Sequence, residues 1–340
     1  MTKVAVVILN FNGRKFLEEF LPTVIVRSKN AAEVWVADNR STDDSVSFMR
    51  KNFPDVNLII NDENGGFSKG YNDALANIKA EYYVLLNSDI EVSENWIQPV
   101  IDLMDADKTI GACQPKILAY HDKESFEYAG AAGGFIDKHG YPFCRGRVFQ
   151  VLEKDHGQYN DATEVFWATG ACMFVRSEVY HQMGGLDEDF FAHMEEIDFC
   201  WRLKNNDYKV MVCPKSVVYH IGGGTLPKSS ARKTYLNFRN NFSLLYKNLP
   251  SNRLFKVLAL RLVLDGLAGV KFLTEGHFGD FLAVIKAHFY FYKNLGNLKR
   301  KRKALTQKQV SLIYQGNIAM DHYLRGVKYF SQLDKTRFSK

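Results

Sequence analysis

A chain of 340 residues with 46% hydrophobic and 24% charged positions is neither disordered nor fibrous, and it holds enough apolar material for a sizeable core. Its five cysteines, Cys113, Cys144, Cys172, Cys200 and Cys213, form no CxxC pair, which argues against a zinc site or a disulfide framework and points to a reducing compartment. The formal charge of +6 conceals a division: up to His220 there are 22 Lys and Arg against 33 Asp and Glu, and beyond it 22 against 5.

In chain order, the opening apolar run Val4 to Leu9 is too short for a signal-peptide core or a membrane span. Further β-branched or aromatic runs follow at Val34 to Ala37, Val56 to Ile60, Tyr82 to Leu86 and Ile110 to Cys113. Between them lie stretches with helical spacing, such as Phe16, Leu17, Phe20 and Leu21, or Trp96, Ile97, Val100 and Ile101. Continuous apolar strands alternating with helices predict an α/β fold, with a mostly parallel sheet covered by helices on both faces. From about residue 116 to 163 the pattern weakens into glycine-rich and aromatic sequence, expected to form loops and irregular strands lining a cleft. A firmer element returns at Val165 to Arg176, then Gly184-Gly185 and the acidic segment Asp187 to Asp198. After His220 and three glycines the chain turns basic and helix-like.

Ligands of such sheets bind beyond the carboxyl ends of the strands, and those positions are polar here. The first strand is followed by Asn10-Phe11-Asn12-Gly13 and the second by Asp38-Asn39-Arg40-Ser41-Thr42-Asp43. A carboxylate beside small polar residues suits a nucleoside, although a helix cap has the same composition. The third strand leads into Asn64-Gly65-Gly66-Phe67-Ser68-Lys69-Gly70-Tyr71-Asn72, where paired glycines let backbone approach a phosphate at a helix start. That loop is neither a Walker loop nor a dinucleotide fingerprint. Asn87-Ser88-Asp89, after the fourth strand, is equally a site for a hard divalent ion or an ordinary turn.

Together these strand ends resemble the inverting family 2 glycosyltransferases of the GT-A fold, in their rhamnosyltransferase-like branch. The resemblance covers about residues 4 to 245. It includes Gly170-Ala171-Cys172-Met173, Gly184-Gly185-Leu186-Asp187-Glu188 and Glu195-Glu196-Ile197-Asp198-Phe199-Cys200-Trp201-Arg202. It implies a GT-A catalytic domain over residues 1–225 and a nucleotide pocket lined by Asn10, Asn12, Asp38, Asn39, Asn64, Gly65, Gly66, Gly70, Asn72 and Asn87. Asp89 and His220 become ligands of a divalent cation, Mg or Mn, and of the diphosphate. Glu196 becomes the base that deprotonates the acceptor, with Glu195 the alternative. Asp198 is either a further catalytic carboxylate or a loop anchor paired with Arg202 at i,i+4. Two departures weaken the metal and base assignments: Asn87 stands where the family often has Asp, and Glu-Glu stands where Glu-Asp is common.

Residues 226–340 form the basic helical extension. Lys228, Arg232 and Arg239 are placed to reach the diphosphate of donor or acceptor. Leu254 to Leu273 and Phe278 to Tyr292 are interrupted by charges, as interfacial helices are, with a helical hairpin in the core as the alternative. The expected protein is a cytoplasmic enzyme, peripheral at the inner face of the membrane. It moves a hexose or deoxyhexose from a UDP- or dTDP-sugar to a glycan or polyprenyl-linked acceptor in surface polysaccharide synthesis. The basic tail expects an anionic membrane surface and not nucleic acid. The rival readings are a sugar-1-phosphate nucleotidyltransferase, for which the chain lacks a Gly- and Arg-rich triphosphate loop, and a noncatalytic sugar- or nucleic-acid-binding protein.

Overall fold

The computed structural model describes residues 2–222 and 230–340. The chain begins with β1 (Thr2–Asn10), α1 (Arg14–Ser28), β2 (Glu33–Asp38), α2 (Ser45–Asn52), β3 (Asn57–Ile60), α3 (Gly66–Leu75) and β4 (Ala80–Asn87). Then come β5 (Ile90–Val92), α4 (Gln98–Ala106), β6 (Ile110–Ala119), β7 (Asp122–Phe126) and the short strands β8 (Gly134–Asp137), β9 (Pro142–Cys144), β10 (Arg147–Val148), β11 (Val151–Leu152) and β12 (Thr163–Glu164). β13 (Cys172–Arg176), α5 (Ser177–Gln182), α6 (Glu195–Asn205) and β14 (Lys209–His220) complete the large sheet. The basic region folds as α7 (Ala231–Asn248), α8 (Ser251–Thr274), α9 (Phe278–Lys293), α10 (Leu295–Ala304), β15 (Ile313–Tyr314) and α11 (Ile318–Tyr323).

Val4, Val6 and Ile8 of β1 turn to one side of the sheet and Ala5 and Val7 to the other, and all five are buried. A strand closed on both faces needs a cover on both. α1, α2 and α4 bring Leu17, Met49 and Val100 to one core; α3, α5 and α6 bring Leu75, Val179 and Phe199 to the other. The sheet order is β12-β14-β6-β13-β4-β1-β2-β3, with β5 on β14 and β7 on β6. The β3-β2-β1-β4 half is parallel, as the sequence pattern predicts, and β6 has the same direction. β13 is inserted antiparallel between β4 and β6, an arrangement that apolar runs cannot reveal.

Residues 116–163 are more regular than their composition suggests. Strands β8 to β11 form a second sheet, which β15 joins in parallel along β8. Asp137 pins this junction. Its buried carboxylate accepts backbone N–H bonds from His139 and Tyr141 (2.8 and 2.9 Å) and from Ile318 (3.0 Å), although burial still pushes its pKa up to about 6. The composition shift near residue 226 is therefore not a boundary in packing, because the basic region completes a sheet begun nearly two hundred residues earlier.

α8 and α9 form an antiparallel pair next to α7. α8 buries a narrow stripe, Val257, Arg261, Asp265 and Gly269, and leaves Leu262, Val263, Leu267 and Val270 exposed. The buried stripe packs as the hairpin expectation has it. Among the described residues no helix is long and apolar enough to cross a membrane.

Candidate active site

The loops after β1, β2 and β3 are hydrogen-bonded to one another. Asn10 and Asp38 face each other at the tips of β1 and β2. Asn10 Nδ2 donates to Asp38 Oδ2 (2.9 Å) and to Ser41 Oγ (3.2 Å), and the Ser41 N–H donates to Asp38 Oδ1 (2.8 Å). Two donors compensate the buried carboxylate and fix its direction. Asn12, in a left-handed backbone conformation, accepts from the Thr42 N–H at 2.7 Å. Asn39 Nδ2 donates to Asn64 Oδ1 (3.0 Å) and to the Gly66 carbonyl (2.9 Å), and Asn61 Nδ2 donates to Asn39 Oδ1 (3.1 Å). Asn61 stands directly after β3, so the strand-end rule marks it as a member of this network.

The glycines of the third loop permit close packing. Gly66 has φ +77°, and a Cβ there would collide with the Phe191 carbonyl; on Gly70 it would stand 2.9 Å from the Asn39 amide. A Cβ on Gly65 would first meet the flexible Lys69 side chain. Asn72 lies deeper: its amide donates to the Leu186 carbonyl (2.9 Å) and accepts from the Leu186 N–H (3.0 Å) and the Tyr180 hydroxyl (2.7 Å). It ties α3 to the 184–188 loop and offers no lone pair to a nucleotide.

At the tip of β4 the Asn87 N–H bonds the Ala171 carbonyl (2.9 Å). Two residues on, Asp89 meets His220 from the end of β14, with Oδ1 and Nε2 3.2 Å apart. The other face of the imidazole meets Glu127, Nδ1 to Oε2 at 3.2 Å. All three are buried. Burial alone would lower the His220 pKa, but hydrogen bonds and charge from Asp89 and Glu127 override it and push it up to about 10. Burial likewise opposes ionisation of Glu127, and His220 reverses this, holding it below its ordinary value. Glu127 had no signal in the sequence; it arrives through the strand pairing of β6 and β7. A Cβ on Gly222 would strike its carboxylate, so this glycine lets the chain pass.

Glu195 and Glu196 open α6. Before them Phe191, His193 and Met194 all have positive φ, a conformation that costs non-glycine residues about 1–3 kcal/mol each. Oε2 of each glutamate is shielded from solvent and has no hydrogen-bond partner among the described residues. Desolvation pushes Glu196 up to about 7. It pushes Glu195 well above its ordinary value too, with repulsion from Glu196 adding to the effect. The Cβ of Glu196 lies 3.8 Å from where a Cβ on Gly170 would stand, and the Phe67 ring is 3.0 Å from the same point. Through Gly170-Ala171 the glutamate reaches the β4 tip, and through Phe67 it reaches the Gly65-Gly66 loop.

Asp198, one turn on, is fully enclosed. It pairs with Arg202 (Nε to Oδ2, 2.9 Å) and Lys247 (Nζ to Oδ2, 2.9 Å) and accepts from Asn248 Nδ2 (2.8 Å). It anchors α6 to α7, and both its oxygens are occupied. Arg239, expected at a diphosphate, is instead turned into the protein: its Nη2 donates to the Asp189 and Phe190 carbonyls, each at 2.8 Å. Arg232 is exposed and stacks over the Phe191 ring, 5.4 Å from its centroid. Lys228 lies outside the described residues.

One rim of the sheet therefore gathers Asn10, Asp38, Asn39, Gly65, Gly66, Asn87, Asp89, His220 and Glu196. The profile of Glycosyl transferase family 2 matches residues 5–184. The low-salt glycan biosynthesis hexosyltransferase Agl10 of Haloferax volcanii is 26% identical over 74% of this chain and 76% of its own. The N-acetylglucosaminyl-diphospho-decaprenol L-rhamnosyltransferase of Mycobacterium tuberculosis is 24% identical over 63% and 75%. In three dimensions the chain resembles GalNAc-T7, solved with UDP, GalNAc and Mn2+, with a TM-score of 0.57 and 17% identity, covering 74% of this chain and 49% of that one. The mannosyltransferase PcManGT of Pyrobaculum calidifontis, solved with GDP-Man and Mn2+, gives 0.50 at 15% identity, over 89% and 84%. The family match spans more than half the chain, the fold is that of GT-A enzymes, and the protein belongs to glycosyl transferase family 2.

Proposed function

We propose that the protein transfers a hexose or deoxyhexose, rhamnose-like in the first instance, from a UDP- or dTDP-sugar to a hydroxyl of a glycan or lipid-linked glycan, with inversion. The observation that carries this reading is Glu196: a carboxyl with an unpartnered, solvent-shielded oxygen, raised to about 7, on the rim that holds the Asp38 and Gly66 loops. A base with that pKa is matched to neutral pH. Glu196 takes the acceptor's proton while the hydroxyl oxygen bonds the anomeric carbon. The bond from that carbon to the diphosphate breaks on the opposite side, and the nucleoside diphosphate leaves with the electron pair. Asp38, fixed by Asn10 and Ser41, is placed to accept from a base or ribose donor, and the Gly65-Gly66 backbone to approach the phosphates.

Among the described residues no three acidic, His or Cys side chains are grouped to hold a metal. Of the two expected ligands, Asp89 supplies a carboxylate that would meet a divalent cation completed by diphosphate oxygens, whereas His220, charged and facing a carboxylate at each ring nitrogen, offers no lone pair to it. Such an ion would neutralise charge on the leaving group. Mn2+ in GalNAc-T7 and PcManGT supports this reading. The Mycobacterium relative's name, with its diphospho-decaprenol, supports a polyprenyl-linked acceptor. Incubation with UDP- and dTDP-sugars and a glycan acceptor is expected to release nucleoside diphosphate and form an inverted glycoside. Exchange of pyrophosphate into the sugar nucleotide would replace this reading with a nucleotidyltransferase.

The outward apolar face of α8 and α9 extends this to a membrane. Leu267, Val270 and Phe289 are 61%, 55% and 70% exposed, and Lys256, Lys271 and Lys286 lie on the same two helices. Apolar side chains flanked by cations suit the headgroup boundary of an anionic leaflet, where a lipid-linked acceptor resides. Vesicles containing anionic lipid are expected to co-sediment with the protein at low salt and to bind less of it as ionic strength rises. Equal binding to neutral vesicles, or none to either, would remove the membrane from the account.

A further inference from the structure

The turn before Glu195 carries three non-glycine residues in left-handed conformations, Phe191, His193 and Met194, with one short internal bond, from the Ala192 N–H to the Phe190 carbonyl (2.6 Å). Its carbonyls are gathered by one side chain of α7: Asn240 Nδ2 donates to the Phe190, Ala192 and His193 carbonyls at 2.9, 2.8 and 2.7 Å. The orientation of that amide is set in turn by Arg239, whose Nε donates to Asn240 Oδ1 at 2.7 Å, so that the NH2 group faces the turn. The same guanidinium adds the Asp189 and Phe190 carbonyls and lies near the rings of Tyr235 (5.5 Å) and Tyr290 (4.9 Å). Both residues are buried.

The turn they hold has two outlets. On one side the Met194 carbonyl accepts the Asp198 N–H (2.9 Å), which starts α6 and so fixes where Glu195 and Glu196 project. On the other the Phe191 carbonyl accepts the Phe67 N–H (2.6 Å), which seats the Gly65-Gly66 loop. We infer that Asn240, locked by Arg239, is a positioning residue that sets the base against the donor loop, so that the basic region takes part in catalysis without touching the reacting atoms. This rests on the reading of Glu196 as the base. A misplacement on the scale of 1 Å is enough to cost about 10²-fold in rate.

Asn240→Ala removes the two N–H donors that reach three carbonyls of a strained turn. Turnover is expected to fall about 10²-fold, with the dissociation constant for the nucleoside diphosphate changed less than about threefold. The acid limb of the pH profile, which follows Glu196, is expected to move to lower pH as the loosened turn hydrates the carboxyl. The titratable groups that this carboxyl meets are Glu195 and Cys200 on its own helix; Asp198 acts on Glu195, and from α7 Arg232 lies over the Phe191 ring and Lys233 acts on His193 in the turn before it. α3 and the 169–171 turn bring Phe67 and Gly170, which carry no charge. Arg239→Lys, which keeps the charge but frees the Asn240 amide to flip, is expected to shift turnover and the acid limb in the same direction, and it decides the matter if Asn240→Ala does not fold. A wild-type rate and acid limb in the folded variants, or a loss no larger than the unfolded fraction, would overturn the inference. Glu196→Gln separates the two readings: if it stays active the base assignment falls, and if it is inactive while the α7 variants match wild type only the positioning role falls.

Discussion

Glu196→Gln is expected to lower transfer by about 10²-fold or more while nucleotide binding persists. The amide keeps the size and most contacts of the side chain but cannot accept the acceptor's proton at neutral pH. In the parent protein turnover is expected to rise with pH through about 7 and then level off, because the carboxyl must be ionised to act. The same shift has a stability consequence of opposite sense. The folded pKa of Glu196 lies above its ordinary value of 4.5, so between these values the unfolded chain binds fewer protons than the native one, and stability falls as pH rises. Gln in its place avoids this loss, so the variant should resist unfolding better than the parent at pH about 8. Steady-state kinetics and chemical unfolding at two pH values check both halves. An inactive variant that is also less stable at alkaline pH would mean that the carboxylate is structural.

Asp198→Asn is expected to behave in the reverse way, with a loss of about 3–5 kcal/mol of stability. The substitution leaves Arg202 facing a neutral amide and weakens a buried cluster in which Lys247 is shared with Asp187, itself also paired with Lys301. Removing one charge from such a group leaves the others desolvated without compensation, which is where single substitutions have their largest effects. Urea unfolding measures this directly. A stable Asp198→Asn protein that has lost turnover would return Asp198 to the catalytic set.

The contrast between these two carboxylates shows what one sequence discloses. Both stand in the same acidic run, and the i,i+4 spacing of Asp198 and Arg202 is readable as a pair. That Lys247 and Asn248 close around Asp198, while nothing closes around Glu196 Oε2, depends on where α7 docks. Strand-end positions were legible because a parallel sheet delivers consecutive strand tips to one rim whatever the loops do, which is why Asn10, Asp38, Gly66, Asn87 and Asp89 meet. The partners that arrive from far along the chain were not. Glu127 comes through a strand too polar to read as one, β7, and Asn240 through a helix whose basic residues drew attention to an external anion. Arg239 illustrates the error: a cation in a basic stretch reads as a ligand for phosphate, yet neighbouring carbonyls satisfy it first.

The parallel pairing of β15 with β8 has a further consequence for how the molecule is made. Ile313 finds its neighbour at Ile136, and Ile318 its acceptor at Asp137, so these contacts close only after residue 318 has left the ribosome. Contacts of such long sequence separation form late and slow the approach to the native state. Until then the nascent enzyme carries an unfinished small sheet and the exposed apolar faces of α8 and α9, the kind of surface on which chaperones act.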